Sequence, residues 1–144
     1  MNANIFFDTN VLVYARSFDL SEKQGIAIDY VEDGLRYGIG FVSTQVLSEF
    51  VSVMTRKIAR PITLDIVKEE LSGLEGLQLV EVDRRQILRA IDLSKEHVIN
   101  YWDALILASA EKAGCRTLLT EDMAHGRKFG RIEVINPFLK AARR

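Results

Sequence analysis

Four acidic residues occupy positions from which they could act together. Asp8 and Asp122 each follow a short apolar run that predicts a buried strand. In an open parallel sheet, ligands bind at the carboxyl ends of the strands. Glu49 and Asp103 lie on predicted helices, and Asp103 is the more informative because its helix is apolar nearly all round. An acid in such a helix is costly to bury unless it is paired or binds a metal.

Each acid also has a simpler interpretation. Asp8 could cap the turn that follows it. Asp103 comes three residues after Asn100, so it could lie in the first turn of a helix and favour the helix dipole. Glu49 lies nearly opposite the apolar stripe of its helix, where solvent-facing acids are normal, and Asp122 lies in a polar loop. None of the four positions identifies a site by itself.

Three or four carboxylates that meet need a compensating charge. At a separation of about 4 Å and an effective dielectric near 20, each like-charged pair repels by about 4 kcal/mol, so the cluster must hold protons or a cation. Ligands that are all oxygens favour Mg²⁺ or Mn²⁺ over zinc. Three small polar residues stand beside the acids and could orient them: Thr9, Asn10 and Thr120. A carboxylate-held Mg²⁺ with open positions is suited to phosphodiester hydrolysis.

The composition fits one packed domain and argues against several classes of protein. Of the 144 residues, 48% are apolar and 27% are charged, which excludes disordered, collagen-like and coiled-coil proteins. The formal net charge of −1 argues against a basic architectural DNA or RNA binder. The single cysteine, Cys115, is predicted to lie in the core, and we find no signal peptide or bilayer-spanning run. We expect one domain over residues 1–144 in a cytoplasmic protein that makes no membrane contact.

Strands and helices are predicted to alternate along the chain. The predicted strands cover residues 4–7, 39–43, 77–82, 116–120 and 132–135. The predicted helices cover residues 21–37, 44–60, 63 to 73 or 76, 83–97 and 100–113, and residues 121–130 are predicted to form a polar loop. This alternation predicts βαβ units and a parallel sheet that is covered by helices on both faces.

Two of these elements carry specific predictions about the core. The third strand is expected to point Leu77, Leu79 and Val82 inward. The helix over 83–97 is expected to bury an apolar stripe of Ile87, Leu88, Ile91 and Leu93.

Four segments together resemble the PIN domain family, and within it the VapC-type ribonuclease toxins of type II toxin–antitoxin systems. They are FDTNVLVY at 7–14, LSEF at 47–50, YWDALI at 101–106 and LLTED at 118–122. The resemblance spans essentially the whole chain, in the right order and at the right spacing. It implies a three-layer α/β/α sandwich with a short, mostly parallel central sheet, and the activity of a metal-dependent endoribonuclease.

The resemblance also implies roles for the four acids. Asp8 and Asp103 match the principal metal ligands of the family, for Mg²⁺ or Mn²⁺. Glu49 and Asp122 match the remaining acids, which act through water or a second ion. Thr9, Asn10 and Thr120 match the polar support. Asp122 fits the Thr-x-Asp spacing better than its neighbour Glu121, but which of the two faces the site is left open.

The predicted function is therefore cleavage of RNA phosphodiester bonds by the toxin of a toxin–antitoxin pair. A housekeeping RNA-processing nuclease and a non-catalytic PIN-like module that binds RNA or protein are the alternatives. An aspartyl-phosphate receiver is a weaker alternative, because the chain has no early acidic pair or Asp-x-Asp motif.

The predicted partners are an RNA substrate, a cognate antitoxin and a second copy of the chain. The antitoxin should present Arg or Lys to the acids. Ile28, Val46 and Val53 fall off the main apolar stripes and are predicted to form a face between two subunits, with a loosely packed core as the alternative. Arg127, Lys128 and Arg131 follow Asp122 and could contact RNA phosphates, or could belong to a merely solvated loop.

Overall fold

The apolar runs of the sequence form a central sheet in a computed structural model that describes residues 3–18 and 21–139. Within these residues the sheet has six strands, in the order β3-β2-β1-β4-β6-β5. They are β1 (Ile5–Phe7), β2 (Gly40–Ser43), β3 (Gln78–Val80), β4 (Thr117–Leu119), β5 (Lys128–Phe129) and β6 (Ile132–Ile135). All neighbouring pairs are parallel except β5 with β6. The mostly parallel α/β fold predicted from the sequence is confirmed.

Six α-helices connect and cover the strands in the described part of the chain. They are α1 (Thr9–Arg16), α2 (Glu22–Arg36), α3 (Thr44–Ser52), α4 (Leu64–Ser72), α5 (Arg84–His97) and α6 (Tyr101–Lys112). Helix α1 packs against α2 and α3, and α5 packs against α6. The core contains fully buried side chains from the two central strands, including Phe6, Phe7 and Leu118. No helix in the described ranges is long and apolar enough to cross a membrane.

Polar side chains cap the beginnings of four helices. Ser43, Thr63, Asp83 and Asn100 each accept a hydrogen bond from a backbone N–H in the first turn of the helix that follows. These bonds satisfy N–H groups that have no partner within the helix. At Asp83 the bond is reciprocated, since the Gln86 side chain accepts from the Asp83 backbone N–H at 3.2 Å.

Helix α1 and strand β5 were not predicted. The run Val11–Ala15 is apolar at successive positions, so its helical period is not visible in the sequence, yet it forms most of α1 and is buried apart from Tyr14. Strand β5 lies within the predicted polar loop, where Gly130, at φ +59°, turns the chain so that Phe129 pairs with Ile132. A two-residue strand is too short to give a periodic signal.

Two predictions about inward-facing side chains were wrong. Leu79 is 49% exposed, because β3 is an edge strand of the sheet, and Val80 is buried instead. On α5, the exposed side chains include Ile87, Leu88 and Ile91.

Helix α5 faces α6 with a different set of residues. Of the predicted stripe, only Leu93 is buried, and it is joined by Ala90 and Gln86. The face of α5 that is buried is the one that packs on α6, and a small residue at its centre permits close approach of the two helices.

The predicted helix over 44–60 is two structures in succession. Helix α3 ends at Ser52, and a π-turn, Val53–Lys57, follows without a break. Ile58 leaves the π-turn in an extended conformation, and the Ile62 backbone N–H then bonds to the Met54 carbonyl at 3.0 Å. The chain therefore turns back on itself before it reaches α4.

Candidate active site

The register of the two central strands brings Asp8 and Thr120 together. Phe7 lies opposite Leu119 in the parallel pair β1–β4, and the next residue of each strand leaves the same edge of the sheet. The Asp8 backbone N–H donates to the Leu119 carbonyl at 3.0 Å. The Asp8 side chain is only 6% exposed. Its Oδ1 accepts from the Thr9 backbone N–H at 2.7 Å, and its Oδ2 accepts from the Thr120 hydroxyl at 2.8 Å.

Asn10 extends this network from Thr120 to Asp122. The Asn10 side-chain amide donates to the Thr120 hydroxyl oxygen at 3.2 Å and to Asp122 Oδ2 at 3.0 Å. The Asp122 backbone N–H also donates to the Thr120 hydroxyl oxygen, at 3.1 Å. One hydroxyl therefore binds Asp8 and holds the loop that carries Asp122.

Glu49 approaches from α3 and is held by two neutral donors. The Thr9 hydroxyl donates to Glu49 Oε2 at 3.0 Å, and the Gln45 amide donates to Oε1 at 2.9 Å. The same Gln45 amide nitrogen lies 3.3 Å from the carbonyl of Trp102 at the start of α6. Gln45 therefore links the helix that carries Glu49 to the helix that carries Asp103.

Asp103 lies in the first turn of α6 beside its cap. Asn100 accepts from the Asp103 backbone N–H at 2.9 Å and donates to Asp103 Oδ2 at 2.7 Å. The side chain is partly exposed, because the fully apolar part of α6 begins one residue later, at Ala104. The capping interpretation of Asp103 therefore describes a real contact, and it does not prevent this carboxylate from facing the other acids.

The four carboxylates are close enough to affect one another. The pKa of Asp8 is raised to about 6, chiefly by burial and also by the charges of Asp122 and Glu49, while the hydrogen bonds from Thr120 and Thr9 oppose this rise. Burial also raises the pKa of Asp103, opposed by the Asn100 hydrogen bond and reinforced by the charges of Asp122 and Glu49. Both groups are therefore destabilised as carboxylates in the protein without a cation.

A cavity of about 290 Å³ opens at this cluster. It is lined by Asp8, Thr9, Asn10, Val13, Tyr14, Glu49, Val53, Ile58, Glu121 and Asp122. Asp103 is not among these residues. The lining therefore combines acidic and polar side chains with the apolar side chains of Val13, Val53 and Ile58.

Glu121 also lines the cavity, but its charge is already compensated. Lys23 Nζ lies 2.7 Å from Glu121 Oε2, and the Tyr14 hydroxyl donates to Oε1 at 2.7 Å. Asp122, in contrast, is bound only by neutral groups among the described residues. No sequence pattern indicated Lys23, whereas Tyr14 lies one helical turn after Asn10 and would have been found with α1.

The donors at the site fit a hard divalent cation. Across residues 3–18 and 21–139, none of the four acids forms an ion pair with Lys, Arg or His. In the same ranges, no three Asp, Glu, His or Cys side chains are arranged to enclose a metal ion. The donors present at the cluster are carboxylate, amide and hydroxyl oxygens, which are ligands that a hard divalent cation accepts.

Two of the three basic residues predicted to reach RNA from the loop after Asp122 have contacts elsewhere. Arg127 donates to the His97 carbonyl at 2.9 Å, and its guanidinium lies 4.6 Å from the centre of the Phe129 ring. Arg131 lines a separate cavity with Cys115, at the amino end of β4. The β5–β6 hairpin carries the chain back to the opposite edge of the sheet, so Arg131 lies far from the acids.

Of the three side chains predicted to form a face between subunits, Val46 is excluded from it by burial. Val46 is fully buried in the core, and Val53 lines the acidic cavity. Ile28 packs against the core and lines a different cavity, with Ala15. Helical periodicity alone misplaced Val46, because α3 is covered on more than one side.

Comparisons with known proteins agree on the fold. The family model described as PIN domain matches residues 5–129. A toxin–antitoxin complex from Klebsiella pneumoniae superimposes with a TM-score of 0.69 at 17% identity, covering 94% of this chain and 98% of that one.

Two further solved structures are similar. VapBC2 of Rickettsia felis, bound to a DNA fragment from its promoter, gives a TM-score of 0.65 at 17% identity, covering 90% of this chain and 96% of that one. The sarcin-ricin loop cleaving toxin VapC20 of Mycobacterium tuberculosis gives 0.61 at 16% identity, covering 80% and 87%. No curated protein sequence matches the chain. At these identities the structural likeness establishes the fold.

Proposed function

The chain belongs to the PIN domain family, and we propose that it is a divalent-metal-dependent endoribonuclease that acts as the toxin of a toxin–antitoxin pair. The observation that carries the proposal is the buried Asp8, whose pKa is raised to about 6 by burial, Asp122 and Glu49, and which has no cationic partner in the described chain. Buried carboxylates with a strongly raised pKa occur mainly at functional sites, where the carboxylate binds a cation or transfers a proton.

Asp8 and Asp103 are the proposed direct ligands, with Glu49 and Asp122 acting through water or a second ion. The chemistry that Mg²⁺ or Mn²⁺ supplies when bound is neutralisation of charge on the phosphate and a lower pKa for the attacking water. Asp8 must be ionised to act as a ligand, and the hydrogen bonds from Thr120 and Thr9 favour that form.

The carboxylates of Glu49 and Asp122 can accept further hydrogen bonds from water. Each carboxylate oxygen accepts from several directions, and the bonds from Thr9 and Gln45 use only part of the capacity of Glu49. Fixed by these donors, Glu49 can accept a proton from a water molecule in the cavity. Asn10 holds Asp122 at the same cavity.

An antitoxin and a second copy of the chain are the proposed partners, in the cytoplasm. The structural neighbours include toxin–antitoxin complexes, and a segment that presents Arg or Lys would neutralise the acids in place of the metal. The exposed apolar side chains of α5, among them Ile87, Leu88 and Ile91, are the proposed subunit contact. Light scattering of the purified chain at micromolar concentration tests this contact, and a monomer would contradict it.

The experiment that tests the function compares RNA cleavage by three proteins. A pool of random single-stranded oligoribonucleotides is incubated with the wild type, Asp8→Asn or the control Asp29→Asn, in Mg²⁺, in Mn²⁺ and in EDTA. Asp29 is exposed on α2 and lines none of the acidic cavity. We expect metal-dependent cleavage by the wild type and the control. In Asp8→Asn we expect the cleavage rate to fall by at least about 100-fold.

The alternative is a non-catalytic module that binds RNA or protein with the same fold. It predicts no cleavage by the wild type in either metal, with RNA bound intact. Cleavage that persists in EDTA, or in Asp8→Asn at the wild-type rate, would contradict the proposed mechanism.

A further inference from the structure

Part of the cavity wall is apolar, and the π-turn contributes to it. Val53 begins the π-turn, and Ile58 follows its last residue. Both side chains line the cavity, together with Val13 of α1. The same cavity is therefore lined by an apolar surface and by the carboxylates of Asp8 and Glu49.

The π-turn decides which side chains form this wall. Val53 lies four residues after Glu49, so the two side chains project from the same side of the helix, one turn apart. In a continued α-helix, the next residue on that side would be the cationic Lys57. The π-turn adds one residue to the turn, and Ile58 lines the cavity in its place. Turns of this kind are frequent at functional sites.

Cationic residues lie close to Val53 and Ile58 along the chain. Arg56, Lys57 and Arg60 are exposed on the segment that contains the π-turn. Within residues 3–18 and 21–139, no acidic side chain forms an ion pair with any of them. Unpaired Arg and Lys beside a groove are suited to contact nucleic-acid phosphates.

We propose that Val53 and Ile58 form a nucleobase subsite, which receives an unpaired base next to the phosphate that reacts at the acids. Unstacked bases bind to apolar surfaces by their flat faces, and adjoining cations follow the backbone. Arg56, Lys57 and Arg60 contact the neighbouring phosphates. The subsite rests on the proposed function, because that function places the phosphate at the acids of the same cavity.

Methyl NMR of the full chain tests the subsite without any need for cleavage. The protein is titrated in Mg²⁺ with each of the four nucleoside 5′-monophosphates, and separately with ribose 5-phosphate, which lacks a base. We expect the methyl signals of Val53 and Ile58 to shift with at least one nucleotide and not with ribose 5-phosphate. Ile28 is the control reporter, because it is similarly half-buried and lines a different cavity.

Two outcomes of the titration would overturn the subsite. One is no shift of either methyl group at millimolar nucleotide, and the other is an equal shift with ribose 5-phosphate. A response to an apolar peptide that contains arginine, but to no nucleotide, would assign the wall to a protein partner and would also overturn it.

Cleavage by truncated variants separates this inference from the proposed function. Val53→Ala and Ile58→Ala are compared with the control Ile28→Ala on the random RNA pool. We expect each cavity variant to raise KM roughly tenfold and to change the bases found at the cut positions, while the control keeps the wild-type pattern. If the wild type cleaves RNA and all three variants keep its KM and pattern, the subsite is refuted and the function stands. If the wild type cleaves nothing, the function is refuted, and the NMR titration alone decides the subsite.

Discussion

The Thr120 hydroxyl donates a 2.8 Å hydrogen bond to Asp8 Oδ2, and this bond joins the first residues after the two central strands. Both side chains are buried. The same hydroxyl oxygen accepts from Asn10 and from the Asp122 backbone N–H. A single buried hydroxyl thus stabilises the charge of one carboxylate and the position of another.

Replacement of Thr120 by valine removes this donor with little change in shape. We expect the pKa of Asp8 to rise above its value of about 6, because the bond from Thr120 lowers it. The free energy of unfolding should fall by about 1–3 kcal/mol, since Asp8 loses a buried partner. Carboxyl ¹³C NMR of the metal-free protein measures the first quantity and denaturant unfolding the second. Thr117→Val, at the other end of β4, is the control, and an unchanged Asp8 pKa would contradict the argument.

Asp8→Asn should change the pH dependence of stability in the metal-free protein. The folded-state pKa of about 6 lies above the ordinary value of 3.8, so the protonated form is favoured by folding. The stability from Asp8 is therefore fully present below about pH 4 and is lost as the pH rises through 6. Relative to the wild type, the variant should gain up to about 3 kcal/mol between those values.

Denaturant unfolding in EDTA at several pH values measures this gain. Addition of Mn²⁺ above pH 6 should narrow the difference, because only the wild type has the carboxylate to bind it. A difference between the two proteins that does not vary with pH would show that Asp8 is not destabilised by its charge.

Lys23→Met should change the pKa of Tyr14 while it changes the free energy of unfolding only a little. The Lys23 ammonium lies 3.3 Å from the Tyr14 hydroxyl, and it lowers the pKa of Tyr14, which burial and Glu121 raise. Without Lys23, the pKa of Tyr14 should rise further. The partly exposed ion pair itself should contribute less than about 1 kcal/mol.

Tyrosine Cζ NMR across the alkaline range measures the Tyr14 titration. Arg89→Met breaks the ion pair of Arg89 with Glu111, away from the cavity, and is the matched control. If Tyr14 titrates at a lower pH in Lys23→Met than in the control, the conclusion that the Lys23 ammonium lowers the pKa of Tyr14 is refuted.

Val98→Asn should stabilise the protein. Val98 ends α5 in the left-handed conformation, at φ 54°, and its side chain is 89% exposed. A β-branched residue is strained there, whereas Asn tolerates this conformation at helix ends. We expect a gain of about 1 kcal/mol in the free energy of unfolding. Val98→Ala should gain less, and an equal effect of the two substitutions would mean that the backbone conformation is not the cause.

The local signals in the sequence were sufficient for much of the fold. The caps at Ser43, Thr63, Asp83 and Asn100 begin helices where they were predicted, because a capping side chain bonds only within its own first turn. The strands that lead to Asp8 and Asp122 were also recognised, and with them the edge of the sheet that carries the cluster. Motif order and spacing indicated the PIN family, which the family match confirms. The roles of the individual acids stay predictions.

The tertiary structure alone decided which faces are buried and which charges are compensated. Leu79 and Leu88 are apolar residues on predicted elements, but they are exposed because nothing in the described chain packs on their side. The motif spacing favours Asp122 over its neighbour Glu121 but leaves open which of them faces the site. Only the position of Lys23, 98 residues from Glu121 in the sequence, compensates the charge of Glu121 and leaves that of Asp122. Local rules extend over about one turn of helix, whereas the burial of a face and the pairing of a charge depend on residues that the fold brings from distant parts of the chain.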